Sequence, residues 1–248
     1  MSLRLADVYQ AYSGTPVLHG LNLDLGAGIT GLLGPNGAGK STLLRTMATV
    51  VPPRSGSVEI SGVRVEGERS ARRVRSRIGY LPQDFGHDPG MRVLEFVEYA
   101  AWLRGVPARQ QRDSAMRALE QVDLASHIRT KMGNLSGGQR RRAGIAWAVV
   151  GDPDVILLDE PTVGLDPRQR IQFRGIIKNF SHATVVLSTH LTDDIEAVCD
   201  RVVVLNDGTI TFDDTVPALA ALGHDGLPGE SALERAYMHL LPQEERNL

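Results

Sequence analysis

With one cysteine, Cys199, in 248 residues, the chain cannot form an internal disulfide or gather thiols around a metal. Its setting, EAVCDR, reads as the apolar side of a helix rather than as a reactive-thiol site. No apolar run approaches the roughly 20 residues a membrane-crossing helix needs. Arg4 and Asp7 interrupt any signal-peptide core in MSLRLADV, so the sequence predicts a protein made and kept in the cytoplasm. Neither sign of charge dominates: 27 Lys and Arg against 29 Asp and Glu leave a net charge of -2, which argues against a chain that coats nucleic acid. The basic run RSARRVRSR, Arg69 to Arg77, reads as a solvated helix face. Internal repeats and low-complexity linkers are also missing. What is present, 42% hydrophobic and 23% charged residues, suffices for a sizeable core in one large or two modest lobes.

Along the chain, residues 2 to 30 alternate short apolar runs with turns such as YSGT and LGAG, predicting antiparallel strands. ITGLLG then reads as a buried strand and KSTLLRTMATV as a helix, with a glycine-rich turn between them. From about Asp88 to Gly133 the period becomes helical. MRVLEFVEYAAWLRG stops at Gly105, and PARQQRDSAMRALEQV restarts with Pro107 near its first turn. Later come DVILLDE and ATVVLSTH as buried strands, and DRVVVLNDGTITF as a hairpin around Asn206, Asp207 and Gly208. Strands separated by helices predict an α/β fold with a parallel sheet covered on both faces. Near the end SALERAYMHLL reads as a helix with Ser231 and Glu234 as its capping box, stopped by Pro242.

The chemistry concentrates in a few places. GPNGAGKST comprises Gly34, Pro35, Asn36, Gly37, Ala38, Gly39, Lys40, Ser41 and Thr42, and fits the phosphate-loop pattern in the strand-loop-helix context it requires. Its amides can curl round phosphate oxygens, Lys40 adds charge at the β and γ phosphates, and Ser41 offers a hydroxyl to Mg2+. DVILLDEP ends a buried strand on two carboxylates: Asp159 suits magnesium through water, and Glu160 suits a general base on the attacking water. His190 ends another core strand, where it would reach a γ phosphate from the side opposite Lys40. Gln83, after IGYLP, would contact magnesium or water and report nucleotide state to the helical insertion. The other histidines, His19, His87, His127, His182, His224 and His239, lack comparable context and read as structural.

One further stretch, NLSGGQRRR, sets Gly137 and Gly138 where a helix should begin. Ser136 is a good N-cap and Gln139 completes a capping box for a helix through Ala143, Ile145 and Ala148. Each glycine in that first turn costs roughly 1 kcal/mol against alanine by helix-interior propensity. A bare helix N-terminus is also an anion site, which would explain the cost.

Taken together, GPNGAGKST, Gln83, LSGGQ (Leu135 to Gln139), VILLDEP, GLD (Gly164 to Asp166) and His190, in that order and spacing, resemble the ATP-binding cassette family. The resemblance covers about Tyr12 to Phe212. It implies a P-loop NTPase of RecA-like type, with an N-terminal antiparallel β subdomain and a helical signature subdomain. The ATPase domain would span 1–215, with the helical part at about 86–147, and a helical extension would span 216–248. ATP and Mg2+ are the implied cofactors. Tyr12 would stack on adenine, with Tyr9 as the second candidate. The family's signature loop explains the two glycines: Ser136, Gly137, Gly138 and Gln139 would close on the γ phosphate of an ATP held by a second subunit. Asp166 would help join the two sites across that interface. One complete motif set implies a homodimer with two equivalent sites.

GYLPQDFGHDPGMRVLEFVEYAAWLRG, PTVGLDP and STHLTDDIEAVCDRVVVLNDGTITF are most similar to stand-alone bacterial cassettes that drive separate membrane permeases, often exporters of drugs, antibiotics or lipids. Met91 stands where that subgroup often has threonine. The resemblance therefore implies a permease partner, no nucleic acid, and a place at the cytoplasmic face of the cell membrane. A soluble cassette acting on ribosomes or DNA is the competing reading. Against it stand the missing second cassette, long heptad insertion and cysteine cluster. A simple P-loop kinase or GTPase fails on the signature loop and on the lack of an N-K-x-D motif.

Overall fold

The computed structural model describes residues 2–241. Two sheets carry the fold. The first is antiparallel: β1 (Leu3–Tyr12) and β2 (Thr15–Leu25) form a hairpin, and β4 (Ser55–Ile60) and β5 (Val63–Val65) extend it in the order β2-β1-β4-β5. The second contains β3 (Gly28–Leu33), β6 (Ile78–Leu81), β7 (Val155–Asp159), β8 (Thr184–Thr189), β9 (Arg201–Asn206) and β10 (Thr209–Thr215), in the order β10-β9-β3-β8-β7-β6. All its pairings are parallel except that of the edge strand β10. The α/β expectation holds, with the N-terminal strands antiparallel as read. Every residue of β7 and β8 is buried, as a parallel sheet covered on both faces requires.

The faces are covered by different material. On one side the antiparallel sheet and α1 (Lys40–Met47) pack Leu3, Leu18, Leu43, Met47 and Ile60 against Leu157 and Val203. On the other lie α3 (Val93–Leu103), α4 (Ala108–Gln121), α5 (Gly137–Val149) and α6 (Pro167–Lys178), which bury Phe96, Val97, Leu119, Ile145 and Phe173 with Ile156 and Leu158. α2 (Glu68–Arg75) buries only Ala71 and Val74, so the basic run is a solvated face as read. A third cluster joins Leu33 and Val202 to α7 (Thr192–Val198), α8 (Val216–Ala220) and α9 (Ala232–Leu240), so the C-terminal segment packs onto the sheet through α7.

Local chemistry corrects several element ends. α1 stops at Met47 instead of running to Val50, because Thr49 turns to φ 57° and cannot continue a helix. α3 ends as expected: Gly105 takes φ 77°, and the Val106 amide returns to the Ala101 carbonyl at 3.0 Å. Cys199 is the residue capping α7 rather than part of it, and burial pushes its thiol pKa well up. At the start of α9, Ser231 accepts from the Glu234 amide, but the returning Glu234 carboxylate takes the Glu230 amide, so the capping box is half formed. Pro242, the expected stop, lies outside the described residues.

Asp194 of α7 fastens the sheet's C-terminal edge. Buried at 1% exposure, it accepts from Thr162 Oγ1 at 2.6 Å and from Arg174 of α6 at 2.7 and 2.9 Å. We expect Asp194→Ala to lower unfolding free energy by about 3 kcal/mol, since Arg174 and Thr162 lose their acceptor together. Urea denaturation checks this, and a loss below about 1 kcal/mol would show the network to be dispensable.

Candidate active site

The glycine-rich turn leaves β3 and enters α1, where Gly37 and Gly39 adopt φ 87° and 102°. At Gly39 a side chain is doubly excluded, because a Cβ would also lie 2.9 Å from Leu18. The turn is held from behind: the Gly208 amide in the β9–β10 turn donates to the Ala38 carbonyl, and the His19 amide of β2 donates to Gly208. A cleft of about 430 Å³ opens in front, lined by Pro35, Asn36, Gly37, Gly39, Lys40, Ser41, Thr42, Gln83, Glu160 and His190, with Val17 and Val163. Most residues nominated for phosphate and metal chemistry therefore meet in one place. A larger cavity, about 510 Å³ under α2, lacks these groups and is crossed by the Arg75–Glu68 pair.

Lys40 is 6% exposed, and its Nζ donates to the Gly34 and Pro35 carbonyls at 2.6 and 3.1 Å. It also lies 3.3 Å from Glu160 Oε1, an ion pair without a well-directed hydrogen bond. From the other side His190 Nδ1 sits 3.0 Å from Glu160 Oε2. The two cationic or polar groups thus bracket one carboxylate. Glu160 itself is 5% exposed and takes φ 45°, a conformation rare for a residue with a Cβ. Ser188 steadies it: its Oγ accepts from the Glu160 amide at 2.9 Å and donates to Asp159 Oδ1 at 2.7 Å. Asp159 is 1% exposed and lies below the cleft rather than in its wall.

The capping box at the start of α5 is complete. Ser136 Oγ accepts from the Gln139 amide at 3.2 Å, and Gln139 Oε1 accepts from the Ser136 amide at 2.9 Å. The two glycines differ. A Cβ on Gly138 would come within 2.7 Å of the Gln169 side chain of α6, whereas nothing lies within 4 Å of one on Gly137. Packing explains the first glycine and leaves the second as open amide surface. Asp166 caps α6, accepting from the Gln169 amide at 2.8 Å. Tyr12 closes β1 at 40% exposure beside the hairpin whose other strand supplies Val17 to the cleft; it does not itself line the cleft. Tyr9 meets His19 edge-on instead.

Two residues escaped the sequence reading. His127 Nε2 lies 2.9 Å from Gln139 Nε2, and its Nδ1 faces Ser126 Oγ at 3.0 Å. Because Gln139 Oε1 is committed to Ser136, its amide nitrogen must donate, and His127 must present an unprotonated nitrogen. Arg141 of α5 reaches across to the ends of two strands, donating to the carbonyls of Gln83, Asp159, Glu160 and Pro161. A triple arginine in a helix gives no sign of which member turns inward.

Among the described residues no group of three or more His, Cys, Asp and Glu side chains gathers to hold a metal. The oxygen donors facing the cleft, the Ser41 hydroxyl and the Gln83 amide, suit an ion that keeps water and phosphate oxygens, as Mg2+ does.

The family model described as ABC transporter matches residues 18–163. Daunorubicin resistance ATP-binding protein DrrA3 of Streptomyces coeruleorubidus is 37% identical over 85% of this chain and 67% of its own length. Nod factor export ATP-binding protein I of Burkholderia orbicola is 36% identical over 82% and 67%. Methionine import ATP-binding protein MetN of Caulobacter vibrioides is 37% identical over 85% and 66%. Among solved structures, the dimeric post-hydrolysis state of an ATP-binding cassette bound to ADP and Pi superposes with a TM-score of 0.77, at 26% identity over 86% of this chain and 98% of that one.

Proposed function

We infer from one premise, that this chain belongs to the ABC transporter family and is its ATP-binding and ATP-hydrolysing subunit, that it drives a membrane permease carried on a different chain. The observation that carries the chemistry is the Glu160 carboxylate bracketed by Lys40 and His190 at the mouth of the phosphate-loop cleft. With ATP bound, the loop amides and Lys40 take the β and γ phosphates. Mg2+ would be held by Ser41, with Gln83 and, through water, Asp159, and it supplies charge neutralisation on the phosphate oxygens. Lys40 then has phosphate rather than Glu160 as its partner. Glu160 is left to accept a proton from the attacking water, and His190 holds it in place.

The composite site is read the same way. The open amide of Gly137 beside Ser136 supports a signature loop that meets the γ phosphate held by a second copy, with Gln139 fixing the loop and Asp166 at the junction of the two sites. Tyr12 supplies the adenine platform.

For the permease the support is a surface. Aromatics are 5% of the chain, yet both tryptophans gather here with Phe96 and Tyr99. Tyr99 and Trp102 stack at 5.6 Å and are 46% and 58% exposed, beside Leu103 at 53% and, across a groove lined by Ile78, Arg104 and Trp147, Val50 at 58%. Such an apolar patch fits a docking element from a partner. Among the described residues no helix is long and apolar enough to cross a membrane. We place the subunit at the cytoplasmic face of the cell membrane. Export of a drug, antibiotic or lipid-like cargo is the direction we propose, on the likeness to the resistance and Nod factor proteins.

Three outcomes test this reading. Glu160→Gln is expected to keep ATP affinity, slow hydrolysis about 1,000-fold and accumulate an ATP-bound dimer. Wild-type turnover would remove Glu160 from its role. Ser136→Arg should bind ATP yet neither dimerise nor hydrolyse it. Activity that keeps its normal second-order dependence on protein concentration would sink the composite site. Tagged protein from gently solubilised membranes should bring down a polytopic membrane protein in near-stoichiometric amount, and Trp102→Glu should lose it while keeping basal ATPase. Recovery of ribosomal or DNA-repair proteins instead would overturn the transport reading.

A further inference from the structure

We propose that Arg141 is the positioning residue that holds Glu160 in its working geometry and ties it, through one side chain, to the Gln83 loop and the signature helix. This rests on the assignment of Glu160 as the base. Arg141 stands in the first turns of α5, close behind the exposed Gly137 amide. Its Nε donates to Pro161 O at 2.8 Å, its Nη1 to Gln83 O at 2.8 Å, and its Nη2 to Asp159 O and Glu160 O at 2.9 and 2.6 Å. Those carbonyls come from the loop after β6 and from the end of β7 with the loop that follows it.

All of these partners are main-chain carbonyls, so the arrangement is not an ordinary ion pair. Burial pushes the guanidinium pKa down to about 10, while Asp159, Asp84 and Glu160 resist that shift. A charge kept under such desolvation, with no directly bonded carboxylate, needs well-placed acceptors around its fork. What it stabilises is the strained peptide. Glu160 at φ 45° persists only where its surroundings over-determine it. Ser188 fixes the amide side of that residue, and Arg141 fixes its carbonyl and those on either side. Shifting α5 therefore moves the peptide that carries the base. The position of Glu160 in one copy becomes sensitive to whether that copy's own signature helix is seated.

Arg104 provides the matching control. It is also a buried arginine pushed down to about 10 by desolvation, and it also donates to main-chain carbonyls, those of Trp147 and Val150 at the far end of α5. If Arg141 merely stabilises the helix, the two should behave alike.

The experiment compares Arg141→Met, Arg141→Lys and Arg104→Met in the full chain, reading ATPase kcat and KM, thermal unfolding, and ATP binding. We expect Arg141→Met to lower kcat about 100-fold while KM changes less than about 3-fold, as displacement of a base by an ångström would do. Arg141→Lys should recover part of the rate, because one ammonium can serve only some of the four carbonyls. Arg104→Met should lose comparable thermal stability with kcat near wild type. In a Glu160→Gln background, adding Arg141→Met should slow the residual rate less than about 2-fold, because its effect acts through the missing carboxylate. If the two factors multiply, or if Arg104→Met and Arg141→Met lose kcat equally for equal loss of stability, the proposal falls. Should Arg141→Met fail to fold, the same comparison with Arg141→Lys decides, since undiminished kcat there overturns the coupling. Glu160→Gln alone at wild-type rate would instead indict the base assignment, so the two failures are separable.

Discussion

Burying a carboxylate costs several kcal/mol unless charge and hydrogen bonds surround it, and at Glu160 the surrounding groups come from separate parts of the chain. Lys40 arrives from the start of α1, His190 from the end of β8, Ser188 from inside β8, and Arg141 from α5. The parallel sheet makes this convergence possible. β3, β7 and β8 run the same way, with β8 between the other two, so their C-terminal ends, and the loops leaving them, open on one edge. Weakening that register would separate Lys40 from Glu160 before it disturbed either side chain.

The glycine pair at the start of α5 follows from two constraints rather than one. Gly138 is small because Gln169 lies across it, and Gln169 is placed by the Asp166 cap, so the loop after β7 and the signature helix fit together within one copy. Gly137 meets nothing nearby, and its cost in helix propensity has no return inside the chain. An uncovered amide at a helix N-terminus gains most from an anion that another molecule presents. The capping box and the His127 contact keep that terminus formed without covering it.

Much of this was legible because phosphate chemistry demands fixed spacing. A glycine turn followed by Lys40 and Ser41, and a buried strand ending on Asp159 and Glu160, carry their meaning in local order, and the structure brings Lys40, Ser41, Gln83, Glu160 and His190 to one cleft. Arg141 was illegible because RRR has no internal distinction. In space Arg140 turns to Leu135 O, Arg142 to the carbonyls ending α4, and only Arg141 to the strand ends. The phase of α5 decides that, and the phase is set by which apolar residues face the sheet. His127 was missed for a related reason: twelve residues and a loop separate it from Gln139. The early end of α1 and the position of Cys199 depend on single dihedrals, at Thr49 and at the α7 cap, that periodicity does not resolve.

The same helix joins the two ends of the molecule's work. α5 has 13 residues, a rod of about 20 Å. Its first turns carry the open amides and Arg141; its last turn carries Trp147, whose carbonyl is held by Arg104 directly after Trp102 and Leu103 of α3. Phe96 packs on Trp147 at 4.7 Å, and Tyr99 lies 6.0 Å from the same ring, so the exposed patch and the helix end share one aromatic contact. Packed interiors shift between discrete arrangements rather than deforming continuously. A push on the Trp102 surface is therefore delivered to the signature loop by rigid movement of α5, and Arg141 makes the Glu160 peptide part of the same movement.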